Sequence, residues 1–180
     1  MKKLLLICSM VFLIHATSNA QFLKFGVKAG ANFNSLEGDD ISGLDTYTSF
    51  HFGATLEFKV LENLSIQPEV LYSSQGAKVN EENVRDINFN YITVPALAKI
   101  YLISEKLSLE AGPQFSFLIS ESVPDQFESK SFDFAAVGGL GFQFTENIFA
   151  QARYVMGLTD TSSDASVKNR VVQISLGYRF

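Results

Sequence analysis

The chain has 180 residues, 47% hydrophobic and 18% charged, with one cysteine and no tryptophan. That length fits one domain, or one small domain plus a processed segment. A formal net charge of −5 argues against nucleic acid as a partner.

The first element is a basic start, "MKK", followed by an apolar run from Leu4 to Ile14 that is short for a membrane span. Small residues at Ser18 and Ala20 precede Gln21, so residues 1–20 read as a secretory signal peptide cut after Ala20. Bulky Ile7 stands before Cys8 and the apolar run continues past it, which argues against lipidation there. Cys8 leaves with the leader, so residues 21–180 offer no disulfide framework and no thiol chemistry. Without Lys2 and Lys3, twelve basic residues remain against nineteen acidic ones, a net charge of −7. No later stretch matches the uninterrupted apolar length of a membrane helix. The exported chain is therefore soluble, or it crosses a membrane by strands.

Period-two alternation then runs almost end to end and predicts eight strands, at 24–33, 49–60, 64–74, 88–102, 107–119, 132–144, 148–158 and 170–180. Three connections are short, "LEN" at 61–63, "ISEK" at 103–106 and "TEN" at 145–147. Four are longer and polar, at 34–48, 74–87, 121–131 and 159–169. Short and long alternate strictly, which in an up-and-down meander places all short turns at one end. "ENLSIQPEV", "EKLSLEAGP" and "ENIFAQARY" each open a strand after a short turn. Shared hairpin geometry explains that repeat without a solenoid or propeller.

Three observations decide which way the apolar face points. It carries fifteen aromatic rings, among them Phe25, Phe52, Phe115, Phe142, Tyr178 and Phe180, too many for the interior of an eight-stranded barrel. The opposite face places glycines such as Gly26, Gly53, Gly139 and Gly177 beside long charged side chains, as a narrow lumen requires. Rings also sit at both ends of strands with smaller groups between, as in Phe25, Val27, Ala29, Ala31, Phe33, which is the two-girdle pattern of a transmembrane barrel. The expected fold is all-β, an eight-stranded antiparallel up-and-down transmembrane β-barrel over residues 21–180.

The chain resembles the eight-stranded outer-membrane β-barrels called the porin family or PorT-like proteins. The resemblance rests on the leader, "SIQPEVLYSSQGAK" at 65–78, "YITVPALAKIYL" at 91–102, "GGLGFQF" at 138–144, "ARYVMGLTD" at 152–160 and the closing aromatic, in that order. It implies a Gram-negative-type outer membrane, contact with its lipids and lipopolysaccharide, and no agreed activity. It also implies that Tyr178 and Phe180 form the C-terminal assembly signal shown to the barrel-insertion machinery. An accessory place in a secretion system, with envelope protein partners, is compatible with it.

By alternation the lumen should receive Lys28, His51, Glu57, Lys59, Glu69, Lys99, Glu110, Asp133, Arg153 and Arg179. Such a near-balance of sign suits a closed ion-pair network, because an unpaired buried charge is costly. Glu69 and Arg153 fall on strands three and seven, opposite each other in an eight-stranded ring, and are expected to meet there together with Lys99. The network reads as a plug, with a narrow ion path as the alternative.

An enzyme is not expected. His51 is the one histidine after the leader, and no serine and acid stand at a fixed spacing from it. "EGDDISGLD" at 37–45 lacks the spacing of a calcium loop, and no helix follows "GGLG" at 138–141. No cofactor or metal is expected, no nucleic acid, and a monomer. The expected role is structural or interactive, made by the longer loops.

Overall fold

The computed structural model describes residues 23–37, 44–45, 47–79, 87–103, 105–122, 131–159 and 168–180. Eight antiparallel strands form one closed ring: β1 (Leu23–Glu37), β2 (Tyr47–Leu61), β3 (Leu64–Val79), β4 (Ile87–Ile103), β5 (Leu107–Ser122), β6 (Phe132–Gln143), β7 (Ile148–Gly157) and β8 (Lys168–Arg179). Each strand pairs with its neighbours in sequence, and β8 returns to β1 in a ladder from Gly26↔Arg179 to Glu37↔Lys168. A two-residue pairing of Leu44–Asp45 with Val79 and Lys78 is added outside the ring. Closure has a physical cause: hydrocarbon offers backbone amides no hydrogen bonds, so a sheet in lipid cannot keep an open edge. Among the described residues no helix is long and apolar enough to cross a membrane.

Several strands outrun their sequence-based limits. β1 reaches Glu37, β3 Val79 and β5 Ser122, beyond the expected 33, 74 and 119. Apolar alternation stops where lipid stops, but the ladders continue into polar sequence because neighbouring strands still pair there. Leu23, Phe180 and the three short turns share one end of the barrel. Glu105 holds a left-handed backbone there, with φ 60°. Residues 1–22 and much of 38–46, including the acidic stretch of the first long connection, lie outside the described residues.

The faces divide as alternation requires. Phe25, Phe33, Phe50, Phe52, Phe58, Phe115, Phe117, Phe132, Phe142, Phe144, Tyr154, Tyr178 and Phe180 are all exposed on the outer face. Ring contacts run along it, as in Phe25 stacked on Phe180 with centroids 5.6 Å apart and Phe142 edge-on to Phe144 at 5.0 Å. Mid-strand the outer face narrows to Ala29, Ala54, Ala96, Ala111, Ala136 and Ala152. A membrane-sized apolar band flanked by aromatics results.

Three prolines interrupt the wall. The β2–β3 ladder loses its pairings between Thr55↔Glu69 and Phe58↔Ile66, around Pro68. The β3–β4 ladder breaks between Pro68↔Ala96 and Leu71↔Thr93, around Pro95. The β4–β5 ladder breaks between Pro95↔Gln114 and Ala98↔Ala111, around Pro113. Each proline lacks the amide proton that its position in the ladder would use.

Candidate functional site

The inward side chains converge on the lumen. Lys28, His51, Glu57, Glu69, Lys99, Glu110, Asp133, Arg153 and Arg179 are all buried. Inward alternation places them there, and the glycines beside them give them room. A methyl group at Gly139 would overlap Arg153, and one at Gly141 would overlap Glu110.

At mid-barrel Arg153 of β7 reaches across to Glu69 of β3. Its Nη1 and Nη2 each donate to one carboxylate oxygen at 2.8 Å, a bidentate pair. Its Nε donates to Glu110 at 2.9 Å. Lys28 Nζ lies 2.8 Å from Glu69 and donates to Gln151 Oε1 at 3.2 Å. Lys99 lies 3.5 Å from Glu110 and 3.3 Å from Glu57, and donates to Gln67 Oε1 at 3.3 Å. It is linked to Glu69 through Gln67, whose amide donates to that carboxylate at 2.6 Å, and through Glu110 and Arg153. Lower down, Glu57 accepts from the Tyr101 hydroxyl and lies 2.8 Å from Arg179 Nη2. Four cations thus face three carboxylates, and the amide oxygens of Gln67 and Gln151 take donors that the carboxylates leave over.

Two sequence-predicted members stand apart. Lys59 points inward but sits at the rim, where it pairs with the turn residue Glu105, which Lys24 also approaches at 3.5 Å. It misses the buried cluster because β2 has already reached the short-turn end. Asp133 lies toward the far end of β6 and accepts from the Thr159 hydroxyl.

At the rim, the hydrogen bond from Lys59 and the positive charges of Lys24 and Lys59 hold the Glu105 carboxyl below its ordinary range. A depressed carboxylate contributes stability above its unfolded pKa and loses it as pH falls through the folded one. The unfolding midpoints of the wild type and Glu105→Gln should therefore differ near neutral pH. They should converge only as the pH falls below the ordinary carboxylate range and through the depressed folded value. The effect is small because the side chain is 47% exposed.

Sequence reasoning missed four inward rings, among them Tyr101, whose hydroxyl reaches Glu57. Phe89, Tyr91 and Phe149 are all buried, and their position parity, shared with Lys99 and Arg153, was the available signal. Phe149 lies in the lumen near the short-turn end. The Arg179 guanidinium lies 4.8 Å and Lys99 Nζ 6.0 Å from its ring centre. Gly177 makes room for the ring, since any methyl there would overlap it. Toward the other end, Leu97, Ala135, Val137, Val155 and Val171 form a buried apolar cluster on one side of the lumen.

His51 finds partners that no sequence spacing revealed. Its Nδ1 lies 2.7 Å from Asn32 Oδ1 and its Nε2 2.7 Å from Ser175 Oγ. Asn32 Nδ2 donates to the carbonyl oxygens of Phe50 and Ser74 at 3.2 and 2.8 Å, so Oδ1 is the acceptor. His51 Nδ1 therefore carries the proton, and Ser175 donates to Nε2. The order matches a hydrolytic triad with an amide third member. Its packing does not: Asn32, His51 and Ser175 are 0, 1 and 3% exposed, and a methyl at Gly30 would overlap both His51 and Ser175. The arrangement is a buried hydrogen-bonded layer across the lumen. Among the described residues no group of three or more His, Cys, Asp or Glu is placed to hold a metal ion.

The sequence matches the family model of the outer membrane protein beta-barrel domain over residues 17–163. No curated protein matches it. Among solved structures, Ail, the attachment invasion locus protein of Yersinia pestis, aligns with TM-score 0.60 and 22% identity, over 87% of this chain and 98% of that one. Neisserial surface protein A aligns with TM-score 0.59 and 14% identity, over 87% and 97%. OprG of Pseudomonas aeruginosa gives 0.54 and 12%, over 87% and 95%. At these identities the likeness is one of fold.

Proposed function

This chain belongs to the outer membrane protein beta-barrel domain family, and from that premise we propose that it is a closed scaffold whose longer connections make its contacts at the cell surface. The carrying observation is the lumen. Charged side chains from β1, β2, β3, β4, β5, β7 and β8 meet across it with Phe149 beneath them, which favours a plug over an ion path. The leader over 1–20, the outward placement of the loops and the PorT-like assignment belong to the same proposal.

Loop chemistry narrows the partner. Ail of Yersinia pestis has been solved with the heparin analogue sucrose octasulfate, a polyanion. Here the connections at 34–48, 74–87, 121–131 and 159–169 carry twelve acidic and four basic residues, a net charge of −8. Such loops repel polyanions and suit a cationic or neutral surface. Purified protein in planar bilayers should give no sustained conductance, and cells expressing it should lose surface binding when the loops are shortened. Steady unitary conductance from the wild type would defeat the plug reading.

Tyr178 and Phe180 are proposed as the assembly signal. Phe180 is 71% exposed, with its backbone N–H donating to Phe25 O at 2.9 Å and its ring packed on Phe25 and Tyr178. An exposed ring adds little to the interior. Phe180→Ser should lower the amount of membrane-inserted protein several-fold, while the fraction that inserts unfolds near the wild-type midpoint.

A further inference from the structure

The short-turn end of the barrel holds a cleft of about 530 Å³, within the usual range of small-ligand sites. It is built from the β4–β5 turn, the β6–β7 turn and the ends of β1 and β8. Its lining carries both signs of charge. Glu105 and Lys106 stand on one turn and Glu146 on the other, and the buried Arg179 lines it as well.

Most of these groups are already engaged in holding the turns. Glu105 is paired with Lys59 and lies 3.5 Å from Lys24, which ties the β4–β5 turn to β2 and β1. Gln143 accepts from Arg179 Nη1 at 2.7 Å, and its amide donates to the carbonyl oxygens of Thr145 and Glu146 at 2.6 and 3.2 Å. Asn147 Nδ2 donates to the Arg179 carbonyl oxygen at 2.8 Å, which ties the β6–β7 turn to β8. The Gln143 N–H joins the two turns by donating to the Lys106 carbonyl oxygen at 2.7 Å. The Lys106 ammonium and the Glu146 carboxylate take no part in this bracing. Both residues are exposed, and among the described residues neither side chain makes an ion pair, with each other or with a third group. One cleft therefore presents two unneutralised charges of opposite sign on firmly held backbone.

We propose that this cleft binds a short zwitterionic peptide, with its carboxylate on Lys106 and its amine on Glu146. A ligand of one sign would satisfy one of the two side chains and be repelled by the other. A short chain with a charge of each sign at its two ends satisfies both, through charge-assisted hydrogen bonds. The braced turns lose little freedom when it binds. The exposed Phe144 ring lines the same cleft and offers apolar surface to the middle of the chain. This chemistry does not depend on what the longer connections contact. Only the source of the ligand, the periplasm, rests on the reading that those connections face outward.

Calorimetric titration of the whole barrel in maltoside micelles, where both ends meet the solution, tests it. The probes are two tripeptides with free ends, trialanine of L-residues and the same chain ending in D-Ala-D-Ala, as cell-wall peptides do. At least one should bind. Tighter binding of the D-ended chain marks the wall as the source, and tighter binding of the L-ended chain marks ordinary peptides. Lys106→Gln and Glu146→Gln should each weaken binding at least about fivefold. Both side chains are exposed, so neither change should disturb folding. Acetylating the amine of the peptide should weaken its binding to the wild type but add no further loss in Glu146→Gln. Amidating its carboxylate should behave in the same way with Lys106→Gln. No heat of binding from either peptide up to about 10 mM, or blocked ends that cost as much in the matching variant as in the wild type, would overturn the site. Either failure would leave the absence of conductance, on which the scaffold reading stands, unchanged.

Discussion

Arg153→Ala should lose about 3–5 kcal/mol of stability in urea titrations of the refolded barrel. The guanidinium satisfies Glu69 in bidentate fashion and Glu110 through Nε, and all three side chains are essentially removed from solvent. Removing it leaves Glu69 to Lys28 and Gln67 and Glu110 to Lys99 and Gln151, and takes away the bidentate pair and the Nε bond that none of them replaces. The loss should exceed that of a large-to-small change on the lipid face, where nothing is left unpaired. The double variant Arg153→Met with Glu69→Leu removes one charge of each sign and so leaves the net charge of the cluster unchanged. It should cost clearly less than the two single losses added together. If the costs simply add, the pair is not an energetic unit.

Phe149→Ala should both destabilise the barrel and open its short-turn end. Deleting a buried phenylalanine typically costs about 3–5 kcal/mol. Here the ring also fills the space that Gly177 leaves and faces the Arg179 and Lys99 cations. Without it, water can enter beneath the Glu57–Lys99–Arg179 group. Liposome swelling with small solutes should rise above the wild-type background. Gly177→Val approaches the same site from the other strand, since its side chain must displace the ring. A stable Phe149→Ala barrel that remains impermeable would show that the polar layers above it suffice as the plug.

Much of this was legible in the chain. The fifteen outward rings, the inward charges and the alternation of short and long connections predicted the closed eight-stranded ring and its lipid face. They could do so because period two in a pleated strand leaves each residue one of two faces, and lipid and a narrow lumen demand opposite chemistry there. The same rule covers Phe89, Tyr91 and Phe149, which were missed by following aromaticity instead of parity. Lys59 shows the rule's limit: parity gives the face, but not the height along the barrel at which β2 ends and a turn partner such as Glu105 takes over.

Sequence alone determined strand number, order, facing and, Lys59 apart, the charges that face the lumen, because these depend on local periodicity and on the two solvents a barrel wall meets. Tertiary structure decided who pairs with whom. The stagger of the strands around the ring sets each residue's height, and only this brings Arg153 to Glu69 and Glu110, sends Lys99 to Glu57 and places Ser175 beside His51. It also aligns Pro68, Pro95 and Pro113 across neighbouring interfaces. In the chain they are three separate residues; in the wall they are one seam, with Glu69 bonded across the lumen behind it.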